Sequence, residues 1–158
     1  MRTSLVRSLL RQNRPARIAC MYYPLAMMPA HAAKAGFDAI WLDTEHNTWD
    51  RRQLQRMIAL HHLADIDYIV RTGSRNPSEL YHLLEDGATG IMVPFVNSAA
   101  DAAARHGVAW GRPSGTAEDI ARMAQKGARL IAHGSDFGSL MRMLPAFAKT
   151  LSDGLGPV

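Results

Sequence analysis

The sequence predicts an α/β fold in which helices alternate with parallel strands. Three helix-like stretches end in a glycine, at Gly36, Gly87 and Gly127, and each passes at once into an apolar run. Glycine suits the left-handed backbone position that ends many helices. The apolar runs are continuous rather than alternating, which is typical of strands covered on both faces in a parallel sheet. This alternation fits both a doubly wound sheet and a (β/α) barrel.

The apolar runs define six predicted strands. We expect these strands at about residues 17–22, 38–43, 67–71, 89–95, 107–110 and 129–134. Helices separate almost all of them, but the gap between the fourth and fifth strands leaves room for one short helix at most. The glycine-rich dinucleotide motif and the phosphate-loop motif are absent from the sequence, which excludes the commonest doubly wound functions.

Capping residues predict where several helices begin. One helix is expected to start after Asn47 or Thr48, and another at Asn76 with Pro77, a cap followed by a first-turn proline. Further along, Thr116 and the residue three positions later have the spacing of a capping box.

The first and last helices carry apolar stripes. Apolar residues at positions 5, 6, 9 and 10 are interrupted by arginines, which favours a short amphipathic helix over an export signal. A cytoplasmic location is therefore expected. The last helix is striped by Leu140, Leu144 and Phe147, and Pro145 inside that stripe should kink or break it.

The composition is that of one globular domain. The chain has 158 residues, of which 47% are hydrophobic and 20% charged. No apolar run is long enough to cross a bilayer. The formal net charge is +4, but the arginines form no tract, so a nucleic-acid partner is not expected. The single cysteine, Cys20, cannot form an internal disulfide and is expected to be a buried thiol.

Polar and ionisable side chains stand at or just after the ends of several predicted strands. They are Asp43, Glu45 and His46 after the second strand, Arg71 after the third, and His133, Ser135 and Asp136 at the end of the sixth. In parallel α/β folds the carboxyl ends of strands meet at one rim, where functional groups gather. An imidazole can move a proton near neutral pH, and a guanidinium can hold a carboxylate or a developing oxyanion. Taken singly, each group could equally be a cap, a loop histidine or an ordinary ion pair.

Longer motifs resemble one known family, that of the HpcH/HpaI aldolases. The matching stretches are "AGFDAIWLDTEH", "YIVRTGSRNPSELYHLLEDGATGIMVPFVNSAADA" and "GARLIAHGSDFGSLMRM". The resemblance implies a (β/α)8 barrel, assembly into a homo-oligomer, and a divalent metal (Mg²⁺, Mn²⁺ or Co²⁺). It also implies cleavage of a 4-hydroxy-2-oxo acid to pyruvate and an aldehyde, so a small 2-oxo acid is the expected partner.

The resemblance also implies roles for individual residues. His46 matches the catalytic histidine, and Arg71 matches the arginine that contacts the keto acid and stabilises its enolate. Asp43 and Glu45 match supporting acidic neighbours of the histidine. Glu85 stands where the family has an aspartate paired with the histidine. Ser135 and Asp136, at the end of the last strand, are further candidates for substrate binding beside Arg71.

Two parts of the family pattern are absent. The strands that carry the family's two metal-ligating carboxylates have no counterpart, and a complete barrel needs about 250 residues. We therefore expect residues 1–158 to form a single incomplete (β/α)8 barrel of about six parallel strands, internally shortened near residues 97–107. A metal would have to use Glu45, Glu85, Asp86 or Asp136, which the sequence does not bring together.

Three functions remain open from the sequence. The first is a metal-dependent aldolase that uses His46 as acid and base and Arg71 to stabilise the enolate. The second is a non-catalytic remnant of such an aldolase that binds a keto acid or associates with full-length relatives. The third is a structural fragment without a ligand.

Overall fold

A computed structural model describes residues 3–92 and 109–155. Six strands form one sheet: β1 (Ala16–Met21), β2 (Ala39–Asp43), β3 (Asp67–Arg71), β4 (Gly90–Met92), β5 (Gly111–Pro113) and β6 (Leu130–Ser135). Six helices accompany them: α1 (Leu5–Arg11), α2 (Met28–Lys34), α3 (Arg51–Leu63), α4 (Pro77–Glu85), α5 (Ala117–Gln125) and α6 (Asp136–Leu155).

The strand order decides between the two predicted architectures. It is β4-β3-β2-β1-β6-β5, and every neighbouring pair is parallel. Going round the sheet, each strand lies beside the strand before or after it in the chain, and the last strand β6 closes onto β1. A doubly wound sheet reverses its order at a switch point, and this sheet has none. The fold is therefore an incomplete barrel whose two edges are β4 and β5.

Apolar side chains cover both faces of the central strands. On the outer face Met21, Ile40, Leu42 and Tyr68 pack with residues of α2 and α3. The alternate residues of the same strands point to the inner face, because successive side chains of a strand alternate. There Ile18, Cys20, Trp41 and Ile69 form a second cluster, against which α1 packs with Val6, Leu9 and Leu10. The predicted burial of Cys20 is confirmed.

Several predicted boundaries are confirmed. Gly36, Gly87 and Gly127 have the positive φ angles expected of residues that end a helix. The Asn76 side chain caps α4 by accepting the N–H of Ser78, and Pro77 is in the first turn. The part of the fourth strand predicted beyond Met92 and the short helix predicted near 97–107 lie outside the described residues.

One helix start and one capping box differ from prediction. The third helix begins at Arg51, later than Asn47 or Thr48, because Asp50 and Gln53 form a full capping box. The predicted box of α5 is only half formed. Thr116 Oγ1 accepts the N–H of Asp119, but the Asp119 carboxylate turns away to accept from Ser114 and from neighbouring arginines.

The fifth strand and the last helix also differ from prediction. Strand β5 lies at Gly111–Pro113 rather than 107–110, of which residues 107 and 108 lie outside the described part. Gly111 pairs with Leu130 so closely that a Cβ there would overlap the Leu130 carbonyl, so the register requires glycine. Pro145 does not break the last helix, since α6 runs from Asp136 to Leu155, and the kink given as the alternative stays a prediction. Proline removes only one helix hydrogen bond, and on an exposed helix water can satisfy the freed carbonyl.

No helix among the described residues is long and apolar enough to span a membrane.

Candidate active site at the ends of the second and third strands

The pairing of β2 with β3 brings a carboxylate and a guanidinium together at the rim. Asp43 and Arg71 are the last residues of their strands and are direct partners in the parallel register. Arg71 Nε donates to Asp43 Oδ1 at 3.0 Å, and Nη2 donates to Oδ2 at 2.5 Å. The Asp43 side chain is fully buried and that of Arg71 is 17% exposed. This two-point ion pair fixes the orientation of both groups.

The same carboxylate shapes the loop that carries His46. Asp43 Oδ1 accepts the backbone N–H groups of Glu45 and His46, at 3.1 and 3.2 Å. The loop consequently folds back over Arg71, whose Nε lies 3.0 Å from Glu45 Oε2. Asp43, Glu45, His46 and Arg71 therefore form one contiguous cluster, as the strand-end prediction requires.

His46 faces the cluster with Nδ1. Arg71 Nη2 contacts this nitrogen, and Asp43 Oδ2 lies 3.4 Å from it. Because a guanidinium can only donate, the Nδ1 that it contacts is the acceptor and the ring proton is on Nε2. The His46 side chain is 64% exposed, so Nε2 faces the open rim.

Burial and charge act in opposite directions on the Asp43–Arg71 pair. Burial alone would raise the pKa of Asp43, but the hydrogen bonds from Arg71 and from the His46 and Glu45 backbone outweigh it and lower that pKa. Burial lowers the pKa of Arg71, and the bond with Asp43 more than reverses this, so that the pKa is raised. Both groups are therefore ionised near neutral pH.

Trp41 supports Arg71 from the inner face of the barrel. The Arg71 guanidinium carbon lies 4.6 Å from the centre of the Trp41 ring, a cation–π arrangement. Trp41 was not among the site residues predicted from the sequence. The signal was present, because Trp41 is two residues before Asp43 in the same strand and so must share its face.

A cavity lies next to this centre. It has a volume of about 280 Å³ and is lined by residues that include Tyr22, Trp41, Ser114, Ser135 and Arg142. Trp41 also contacts Arg71, so the cavity adjoins the charged cluster. Of the two predicted substrate-binding residues beside Arg71, Ser135 lines this cavity.

Asp136 is engaged in holding the fold. Its carboxylate accepts the backbone N–H groups of Tyr22 and Tyr23 and of Phe137, at 2.8 to 3.1 Å. It thereby ties the end of β1 to the start of α6. A role for Asp136 in substrate binding stays a prediction.

Glu85 lies apart from the cluster. Its carboxylate contacts His82 Nδ1 at 3.1 Å on the half-exposed side of α4. The neighbouring Asp86 is held by Arg51 and Gln55. No contact among the described residues joins Glu85 to His46, and its predicted catalytic role stays a prediction.

A divalent metal does not fit this centre as it is built. Asp43, Glu45 and His46 offer three ligand atoms within 4.8 Å of one another. However, the guanidinium of Arg71 already lies among these three side chains, in contact with Asp43 Oδ2, His46 Nδ1 and Glu45 Oε2. The other acidic residues considered from the sequence, Glu85, Asp86 and Asp136, have separate partners. Among the described residues, the one group of potential metal ligands thus already surrounds a guanidinium.

Comparison with known proteins finds one family. Residues 20–116 match the profile described as HpcH/HpaI aldolase/citrate lyase. A hydroxypyruvate/pyruvate aldolase of Rhizorhabdus wittichii is 32% identical over 97 residues, which are 61% of this chain and 39% of the relative. A 2-dehydro-3,6-dideoxy-6-sulfogluconate aldolase of Pseudomonas putida is 34% identical over 82 residues, 52% of this chain and 32% of the relative. These matches span less than half the length of either relative.

Solved structures share the fold. An HpcH/HpaI aldolase from Desulfitobacterium hafniense superposes with a TM-score of 0.83 at 14% identity, covering 95% of this chain and 97% of that one. The citrate synthase SbnG gives a TM-score of 0.83 at 17% identity, covering 98% and 100% of the two chains. At these identities the likeness is one of architecture.

Proposed function

Because this chain belongs to the HpcH/HpaI aldolase/citrate lyase family, we propose that it is a carbon–carbon lyase acting on a small 2-oxo acid. The proposed reaction is cleavage of a 4-hydroxy-2-oxo acid to pyruvate and an aldehyde. The observation that carries the proposal is the contiguous Asp43–Glu45–His46–Arg71 cluster at the carboxyl ends of β2 and β3. This is the end of a (β/α) barrel where enzymes of this fold place their catalytic groups.

Arg71 would hold the oxo acid. Its Nε and Nη2 are used within the cluster, whereas no hydrogen bond joins Nη1 to another of the described residues. The two N–H groups on Nη1 are therefore the donors left for the substrate. A fixed guanidinium beside the carbonyl would stabilise the negative charge of the enolate as the carbon–carbon bond breaks.

His46 would exchange the protons. Cleavage requires removal of the proton from the C4 hydroxyl, and the resulting enolate must then be protonated to give pyruvate. With Arg71 at Nδ1, the outward Nε2 carries a proton and can act as an acid. A small turn of the exposed His46 ring would instead let Nδ1 donate to Asp43, 3.4 Å distant, with Arg71 still in place, and Nε2 would then become the base. We infer that Asp43 and Arg71 select between the two tautomers.

The family resemblance implies a divalent metal. A divalent metal bound beside the substrate would polarise its carbonyl. No reaction step is assigned to a metal, because Arg71 already lies among the three potential ligand side chains. The residues that act in the proposal are His46 as acid and base and Arg71 as the cation.

Retro-aldol activity tests the proposed function. We expect the purified chain to release pyruvate from a 4-hydroxy-2-oxo acid, measured with a coupled lactate dehydrogenase assay. His46→Ala should abolish release without changing the thermal melt, because the His46 side chain is exposed. His31→Ala, at an exposed histidine of α2, is the matched control and should keep full activity. Equal activity of His46→Ala and the wild type would contradict the role of His46.

The second function, association with other barrels, is favoured by the last helix. Every residue of α6 from Leu140 to Leu155 is exposed. Its exposed apolar side chains recur at helical spacing: Phe137, Leu140, Leu144, Phe147, Leu151 and Leu155. A solitary helix with such a stripe gains little stability of its own, since most helical stability comes from packing an apolar face.

The barrel offers a matching groove. In a (β/α) barrel each neighbouring strand pair is covered by the helix that connects it, but no helix connects β6 forward to β1. Over that pair lies an apolar groove of about 290 Å³, lined by residues that include Phe37, Ile120, Ala124 and Ile131. We propose that two copies of the chain exchange α6, each helix covering the groove of the other.

The size of such an exchange suits a stable dimer. A 20-residue helix is about 30 Å long and about 10 Å wide. Burying two such faces and two grooves would remove roughly 1,200 Å² from solvent, the lower end of stable interfaces. Light scattering should give the mass of a dimer or a larger assembly.

A double variant tests the exchange. Leu144→Asp with Phe147→Asp should yield monomers, because both charges would enter the apolar groove. Ala146→Asp, on the opposite face of the same helix, should keep the mass of the wild type. A monomeric wild type at micromolar concentration would contradict the proposal.

A further inference from the structure

We propose that the guanidinium of Arg71 is the resident cation of the Asp43–Glu45–His46 cluster, so that the native cluster binds no divalent metal there. Removing that guanidinium should then convert the cluster into a metal site. This inference concerns the same centre as the proposed function. Its test measures binding rather than turnover, so the two can fail separately.

The ligand atoms of the cluster suit a metal in type and spacing. Two carboxylate oxygens and one imidazole nitrogen lie within 4.8 Å of one another. Such a mixed oxygen and nitrogen set suits Mn²⁺ or Zn²⁺. It is the one such group within residues 3–92 and 109–155. On ligand identity alone, a metal would be expected here.

Arg71 already contacts all three potential ligand side chains. Its Nη2 donates to Asp43 Oδ2 and contacts His46 Nδ1, and its Nε lies 3.0 Å from Glu45 Oε2. One planar cation thus hydrogen-bonds Asp43, contacts His46 Nδ1 and forms an ion pair with Glu45. A metal ion would have to displace Arg71 from each of them.

Three features of the structure oppose the displacement of Arg71 by a metal ion. The strand register places Arg71 directly opposite Asp43, so the two backbones hold the pair together. The Trp41 ring lies against the guanidinium at 4.6 Å. The Asp43 side chain is fully buried, and its loss of Arg71 would leave an uncompensated charge away from water.

The net charge of the cluster also opposes metal binding in the native protein. Two carboxylates and one guanidinium sum to −1 with His46 neutral, and a divalent cation beside Arg71 would reverse this to +1. Without the guanidinium the cluster would carry −2, one charge of which lies on the buried Asp43. A divalent cation would then neutralise it. The same three side chains should therefore bind metal weakly or tightly, according to the charge at position 71.

Mn²⁺ titration tests this inference, with binding followed by calorimetry and by the electron paramagnetic resonance signal of free Mn²⁺. The variant is Arg71→Met, which keeps an apolar stem against Trp41 and removes the charge. We expect it to bind one Mn²⁺ roughly 100-fold more tightly than the wild type, as a change in site charge allows. Adding Glu45→Gln to the variant should remove that binding. Arg17→Met, at an exposed arginine paired with Asp38, should behave as the wild type.

Two results would overturn the inference. One is a folded Arg71→Met variant that binds Mn²⁺ no more tightly than the wild type. The other needs only folded native protein and a single carboxylate substitution. If millimolar Mn²⁺ raises the melting temperature of the wild type, and Glu45→Gln removes that rise, then the native cluster itself binds metal.

Discussion

The three central strands of this sheet, β1 to β3, differ in burial from the strands on either side of them, β4 at one edge and β6 with β5 at the other. Along β2 all five residues are buried, and along β1 and β3 only one residue each is not. Strand β4 has no buried residue, β5 has none, and β6 has one. All six strands have the same parallel pairing, so pairing alone does not bury a strand. Burial requires a neighbour on each side and a covering layer on each face.

This difference in burial explains the position of the candidate catalytic centre. The Asp43–Arg71 pair needs exclusion of water to remain strong, because exposed ion pairs contribute little. It lies between two central strands that have both covering layers. The β5–β6 side ends in α6, whose apolar stripe lies in solvent. One side of the barrel therefore carries the candidate catalytic centre, and the other presents the surface that we propose for assembly.

Removing the central carboxylate should have the largest effect on the folded state. Asp43→Ala leaves Arg71 partly buried and releases the N–H groups of Glu45 and His46. Breaking a buried ion pair from one side costs about 3–5 kcal/mol, and we expect a loss of that order in the free energy of unfolding. Urea denaturation measures it. Asp153→Ala, which breaks the exposed Lys149 pair, should give no measurable change.

A methyl group at the edge of the sheet should have a smaller effect. Gly111→Ala places a Cβ against the backbone carbonyl of Leu130, which cannot move without breaking the β5–β6 pairing. We expect a loss of about 1–3 kcal/mol, as for other overpacked sites. Gly115→Ala is the matched control, because a Cβ there meets no atom within 4 Å. If the two variants melt alike, β5 contributes nothing to the sheet.

Lowering the pH should give the smallest of the three effects on stability, and it should act through Asp43 between the central strands. The pKa of Asp43 lies below its ordinary value of 3.8, so its contribution to stability is present above that pH. It is lost as the pH falls through the lower, folded-state value. From about pH 4 downward the wild type should therefore lose stability more steeply than Asp43→Asn. Denaturant midpoints measured at each pH compare them, and parallel curves would mean that the pKa of Asp43 is unchanged by folding.

Local chemistry was enough to predict most of the framework. Continuous apolar runs predicted the central strands to within a residue or two, and Gly36, Gly87 and Gly127 marked helix ends correctly. The short edge strand was placed too early, because its register depends on how closely Gly111 approaches Leu130. That contact is between residues far apart in the chain, and no local pattern contains it.

The residues of the candidate site could be predicted from the sequence, but the contacts between them could not. Strand ends brought Asp43, Glu45, His46 and Arg71 to one rim, as expected. Which of them would bond to which depends on side-chain directions, and the same holds for Glu85, which contacts His82 instead. Whether the cluster holds a metal or a guanidinium is likewise a question of geometry, because both readings use the same residues.

The reactivity of the Cys20 thiol reports on access to the inner face of the barrel. Its thiol lies on the inner face, and burial raises its pKa to about 11, somewhat offset by a hydrogen bond with Tyr22. At neutral pH it is therefore almost wholly the unreactive thiol, and alkylating reagents need the thiolate. Reaction with iodoacetamide should therefore be slow. Because Cys20 also lines the cavity beside Arg71, a molecule that fills this cavity should slow the labelling further, which makes one native sulfur atom a reporter of cavity occupancy.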